Sequence, residues 1–246
     1  MNNLNLFTFC IDIKKHSKTV LYNSLIILLK SIKRYNNQFK LIIFSNFDLE
    51  IYDIKKKLNE FTEYYKIELM DPDKLSRYFE CNWLNLSFNK IVYFKELFDL
   101  HQIEFIWIDL DTIVAADLSY LNEYSHFFIE NGGNSTIPCQ IFKDNLEITV
   151  PRNRYIQGNF WKLNISLYNS IMKCYNNLSK KLNLRFDLQS LFSYYVYNSD
   201  RISQNITIFP YNSQKSNIYG LELWDSFGCS HLTMTGFNSL YVENNC

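Results

Sequence analysis

Across residues 4–109 the chain alternates short apolar runs with longer amphipathic ones, and this alternation narrows the fold more than any other feature. "LNLFTFCI" (4–11), "FKLIIFSN" (39–46), "YKIELMD" (65–71) and residues 103–109 read as strands. "SKTVLYNSLIILLKSIKRY" (17–35), "LEIYDIKKKLNEF" (49–61) and "SFNKIVYFKELFDLH" (87–101) carry helical spacing, the first with Ser17 as its cap. Strands that are apolar on both faces are covered on both faces, and strands joined through helices run parallel. The expectation is an α/β fold with an open, mostly parallel, doubly wound sheet. Its ligand crevice lies beyond the carboxyl ends of the strands.

The second half is less regular. "HFFIE" (126–130) reads as a short strand, "NGGNSTIP" (131–138) as a loop and "YIQGNFWKLN" (155–164) as a strand with a glycine in its middle. Helices are expected at 165–182 and at 187–198, the latter opened by Asp187 as cap or first-turn acid. "ITIFPYNS" (206–213) and "GCSHLTMTG" (228–236) read as short strand and loop. No Pro- or Gly-rich linker interrupts the 246 residues, so the chain is taken as one unit.

With 47% hydrophobic residues and a formal net charge of +0, neither disorder nor a basic nucleic-acid binder is indicated. The 18 Tyr and 20 Phe belong to a chain-wide enrichment in Asn, Ile, Lys, Tyr and Phe, so aromatic clusters are not read as stacking platforms. Six scattered cysteines form no C-x-x-C pair, which points to a reducing, cytoplasmic compartment. The start meets Asp12 after a short apolar run with no basic region before it, unlike a signal peptide. "TVLYNSLIILL" (19–29) is too short to cross a bilayer. The lysine clusters at 14–15, 55–57 and 180–181 read as solvated faces, with contact to anionic lipid at the membrane's inner surface as the secondary reading.

The candidate chemistry sits in "FIWIDLDTIVAADL" (105–118), where a buried strand runs into Asp109 and Asp111. On an extended chain the two side chains point the same way, roughly 6–7 Å apart. Carboxylates that close raise each other's pKa unless a cation or donors lie between them. A hard divalent ion, Mn²⁺ or Mg²⁺, meets that need through oxygen ligands. The plainer reading makes both acids turn or cap residues.

Two enzyme classes use such a pair. In haloacid-dehalogenase-like phosphatases the first Asp attacks phosphorus, which would make Asp109 the nucleophile. Those enzymes carry the motif on their first strand, however, and no second acidic motif follows here. The run "FNKIVYFKELFDLHQIEFIWIDLDTIVAADLSYL" instead resembles the central block of GT-A glycosyltransferases, especially the family-8-like bacterial enzymes of lipopolysaccharide and capsule synthesis.

That resemblance implies a GT-A-like, Rossmann-type sheet with helices on both faces, divided into a nucleotide-binding half (1–118) and an acceptor and donor-sugar half (119–246). It implies a nucleotide-sugar donor, a glycan or lipid-linked acceptor and retention of anomeric configuration. Asp109 and Asp111 would hold the metal, with Asp109 also approaching the ribose, and Lys90 would lie near the diphosphate or sugar. "QGNFW" (157–161), with Gly158 and Asn159, is similar to the family's strand beside the donor sugar. "DLQSL" (187–191) resembles the segment beside the reacting carbon, which gives Asp187 and Gln189 catalytic places. His231 resembles the C-terminal histidine that completes the metal site, although Gly236 follows it by five residues and no Lys-Pro-Trp comes after. An inverting enzyme would need a carboxylate base, for which Asp187 and Asp225 are candidates. Asp12, at the end of the first strand, is placed to meet the nucleotide base. A sugar-nucleotide-binding module without catalysis is the third reading. Lys90 on a solvated helix face, Gln189 in water and His231 as a loop residue are the plain alternatives.

Overall fold

The computed structural model describes residues 4–11, 18–49, 62–66, 82–114, 117–130, 139–143, 146–150, 156–182, 188–198, 206–209 and 221–222. In chain order these form β1 (Leu4–Cys10), α1 (Lys18–Tyr35), β2 (Phe39–Ser45), β3 (Thr62–Lys66), α2 (Asn82–His101), β4 (Ile106–Ile108) and β5 (Ile113–Val114). A 3₁₀ turn (Ser119–Glu123) follows, then β6 (Phe127–Glu130), β7 (Cys139–Lys143), β8 (Leu146–Val150) and β9 (Ile156–Lys162). The rest is α3 (Ile165–Leu182), α4 (Leu188–Asn198), β10 (Thr207–Phe209) and β11 (Leu221–Glu222). Two units divide the chain: Met1–Glu68 with Trp107–Glu123 and Asn212–Cys246, and Leu69–Ile106 with Tyr124–Tyr211.

In the first unit the strand order is β4-β1-β2-β3. β1 and β2 pair in parallel from Leu4↔Phe39 to Cys10↔Ser45, and β2 pairs with β3 in parallel as well. Leu41, Ile42 and Ile43 are all fully buried, so both faces of β2 are covered, as its unbroken apolar run requires. Helix α1 buries Leu21, Leu25, Leu28, Leu29 and Ile32, the i, i+4, i+7, i+8 stripe of an amphipathic helix. Lys33 and Arg34 stand in its last turn, where positive charge favours the exposed carbonyls.

In the second unit the order is β10-β6-β9, with β10 parallel and β9 antiparallel to β6. Buried rings knit its strands to its helices. Phe192 of α4 lies 5.3 Å from Trp161 of β9 and 5.0 Å from Phe128 of β6, and Phe94 of α2 lies 5.9 Å from Trp161. Such pairs add about 0.5–1.5 kcal/mol each beyond the area they bury. β7 and β8 form an antiparallel hairpin.

Three boundaries differ from the sequence reading. Helix α2 starts at Asn82 rather than 87, because no Pro or Gly between Asn82 and Phe88 stops the helix from extending. The strand expected at 103–109 is only Ile106–Ile108. Gln102 takes φ 56° and its N–H donates to the Phe98 carbonyl at 2.7 Å, a left-handed cap that uses up the residues before the strand. β3 covers 62–66 rather than 65–71, and 67–71 lie outside the described residues. So do residues 50–61, which carry the second expected helix, and the loop 131–138.

Candidate functional site

The acidic pair closes β4 in the first unit, and it does so on a turn. The Thr112 N–H donates to the Asp109 carbonyl at 3.2 Å, so Asp109 opens a four-residue turn with Leu110 and Asp111 at its centre. This corrects the extended geometry expected from the sequence. Asp is suited to such a place because its short side chain tolerates turn backbone. Both acids are half-buried, while Leu110 and Thr112 are buried on either side of Asp111. The Trp107 indole Nε1–H donates to Asp109 Oδ1 at 2.8 Å.

The segment after the acids is fastened to α1 by two buried polar side chains. Val114 N–H donates to Ser31 Oγ at 3.0 Å, and that hydroxyl donates to the Leu28 carbonyl at 2.7 Å. Leu118 N–H donates to Asn36 Oδ1 at 2.7 Å, while Asn36 Nδ2 donates to the Ile32 carbonyl at 3.2 Å. Asp117 caps the 3₁₀ turn, accepting from Ser119 N–H and Ser119 Oγ at 2.8 Å each. The "DL" after the acids therefore has a structural meaning: Asp117 starts the turn and buried Leu118 anchors it. β5 pairs antiparallel with β11, Glu222 opposite Ile113.

Among the described residues, the second unit holds four of those singled out from sequence. Lys90 Nζ, on α2, donates to the carbonyl of Gly158 on β9 at 3.3 Å. Gly158 also faces Gln189 of α4 so closely that a Cβ there would lie 2.5 Å from Gln189 Cγ. Ser193 fixes this approach. Its hydroxyl accepts from Ile156 N–H at 2.8 Å and donates to the Gln189 carbonyl at 2.7 Å, tying the start of β9 to the first turn of α4. Asn159, next on β9, has a buried Oδ1 with no hydrogen-bond partner among the described residues. At the far end of β9, Lys162 donates to the Tyr124 carbonyl at 2.6 Å and pairs with Glu104 at 3.6 Å. Burial lowers the Lys162 pKa and raises that of Glu104, and each charge partly offsets the other's shift.

Asp12, Asp187, Asp225 and His231 lie outside the described residues. Among the described residues no three of His, Cys, Asp and Glu stand together as a metal cluster. The donor set of the Asp109 turn nonetheless fits a hard divalent cation, since it offers two carboxylates separated by one residue, the first bonded by the Trp107 indole, on a segment tied to Ser31 at Val114. Sequence reasoning missed Trp107, Ser31, Asn36 and Ser193. Trp107 was legible through the strand's period of two, which sets it on the side of Asp109. Ser31 and Ser193 were legible only as polar residues on largely apolar helix faces, and Asn36 only as the residue that follows α1.

These elements define a mixed α/β architecture with a mostly parallel open sheet, and that is the fold of solved glycosyltransferases. The apo structure of the bifunctional glycosyltransferase WbbM matches over 84% of this chain with a TM-score of 0.56 and 12% identity. The chain spans only 38% of that structure's length. The apo crystal structure of mouse xyloside xylosyltransferase 1 matches over 86% of both chains, with a TM-score of 0.53 and 12% identity. No protein-family model matches the sequence, and no curated protein does. At this identity the likeness establishes the fold.

Proposed function

We propose that the chain is a metal-dependent glycosyltransferase that moves a sugar from a nucleotide donor to a glycan or lipid-linked acceptor, with retention, in bacterial surface polysaccharide synthesis. The observation that carries this reading is the Asp109–Asp111 turn, held at the end of a buried strand in a fold shared with glycosyltransferases. It also favours transfer over the phosphatase reading. The scattered cysteines and the lysine clusters support work in the cytoplasm at the membrane's inner face.

Asp109 and Asp111, with His231, would hold Mn²⁺ or Mg²⁺. When bound, such an ion would supply positive charge to a departing diphosphate, worth several kcal/mol. The chain's own residues then divide the remaining work. Lys90 brings a positive charge to the Gly158 carbonyl, where it meets phosphate or sugar oxygens of the donor. Gln189 offers an amide donor and acceptor to the sugar hydroxyls, and Asp187 precedes it by two residues. The unsatisfied Asn159 Oδ1 takes a hydroxyl from the donor, and a buried acceptor of that kind rejects analogues lacking the hydroxyl. Asp12 meets the base.

A panel of nucleotide sugars, read by release of free nucleotide with Mn²⁺ present, tests the proposal. Asp111→Asn is expected to lose metal-dependent turnover while remaining folded by circular dichroism. Undiminished turnover and normal metal affinity in that variant would refute the assignment. Hydrolysis of a plain phosphomonoester with Mg²⁺ alone would restore the phosphatase, and nucleotide binding without turnover on any acceptor would leave a binding module.

A further inference from the structure

The direction of the first carboxylate is set by the core rather than by the turn. Trp107 precedes Asp109 by two residues, so both project to the same side of the chain. Its Nε1–H donates to Asp109 Oδ1 at 2.8 Å. The indole is 1% exposed, and Phe7 and Phe9 of β1 pack edge-on against it with centroids at 4.9 Å. Phe44 of β2 closes the cluster against the same two phenylalanines at 6.5 and 5.8 Å. A buried indole N–H is stabilised by an acceptor, and a charged acceptor makes the stronger bond. Engaging one oxygen restricts the rotation of the carboxylate. The sheet thus sets the direction of a group that stands at its edge.

We propose that Trp107 is a positioning residue for the divalent-cation site, holding Asp109 in the rotamer that presents its carboxylate to the ion. The proposal rests on the metal reading of Asp109 and Asp111 given above. Outer partners of metal ligands act in this way, and their loss lowers metal affinity roughly 10–100-fold. If Trp107 were only a core residue whose polar tip found the nearest acceptor, its replacement would lower stability and leave metal binding unchanged.

Direct titration with Mn²⁺, following the free ion by electron paramagnetic resonance, separates the two in four full-length proteins. The wild type is expected to bind one ion and Asp111→Asn to lose it. Trp107→Phe keeps an aromatic ring but removes the donor, and its affinity should fall about tenfold or more. Phe44→Leu loosens the same cluster and lowers the urea midpoint, yet should bind Mn²⁺ as the wild type does. Unchanged affinity in Trp107→Phe, or an equal loss in Phe44→Leu, overturns the positioning role while leaving the metal reading in place. A wild type that binds no Mn²⁺ overturns the metal reading instead and removes the ground for this one. Should Trp107→Phe not fold, the wild type's Trp107 indole ¹H–¹⁵N resonance decides. It is expected to shift with Mg²⁺ and broaden with Mn²⁺, and a resonance indifferent to both ions overturns the role.

Discussion

Replacing Gly158 with Ala inserts a methyl group where Gln189 already stands. The new Cβ would lie 2.5 Å from Gln189 Cγ and 3.2 Å from both Cδ and Nε2. Ordinary carbon contacts fall at about 3.5–4.0 Å, so the side chain must retreat by about 1 Å. The α4 backbone cannot easily follow, because Ser193 ties the Gln189 carbonyl to Ile156. The strain therefore falls on the Gln189 side chain, at a cost of about 1–3 kcal/mol. If Gln189 orients the donor sugar, an error of that size costs roughly 100-fold in turnover. Urea unfolding of wild type, Gly158→Ala, Gln189→Ala and the double variant forms the assay, with nucleotide release measured in parallel. Gly158→Ala should unfold at a midpoint lower by about 0.5–1 M. The double variant, with Cγ gone, should regain about 1–2 kcal/mol relative to additivity. Strictly additive stabilities, or full turnover in Gly158→Ala, would show that the close approach does not govern Gln189.

Two further expectations follow from buried polar groups. Asn36→Ala removes the acceptor of the Leu118 N–H and should cost about 1–3 kcal/mol, with faster hydrogen exchange at the Leu118 amide. Wild-type protection at that amide would contradict the anchoring role of Asn36. Glu104 gives a pH dependence. Burial raises its pKa above 4.5 in the folded chain, so the fold binds the proton more tightly than the unfolded chain does. That contribution is fully present below the unfolded pKa and is lost as pH rises through the raised folded value. The stability of the wild type relative to Glu104→Gln should thus fall as pH rises from below 4.5 through the raised folded value. A gap that stays constant or widens over that range would mean that the Lys162 charge, not burial, dominates at Glu104.

The sequence was most informative where periodicity is long. Helix α3 at 165–182 was predicted to the residue, and β1 and β2 were set by apolar runs that need cover on both faces. It was least informative where a single residue's backbone decides. No pattern marks Gln102 for a left-handed cap, so Ile103 read as strand although it is 39% exposed. Two-residue strands such as β5 and β11 carry no periodicity at all. In the site, the acids were legible by type and spacing, but the turn that presents them was not. Lys90 sits at the helical spacing of buried Phe94, and its approach to Gly158 depends on how α2 packs against β9, which no local pattern encodes.

The ties to Ser31 and Asn36 also bear on the order in which the molecule can be built. Val114 and Leu118 reach acceptors 83 and 82 residues upstream, on a helix and the residue that ends it, which leave the ribosome well before the acids are synthesised. As the late segment emerges, the residues it docks on are already outside the ribosome, so the position of the acids depends on the chain's own beginning. A lesion in the first helix would accordingly unseat Asp109 and Asp111 without touching either.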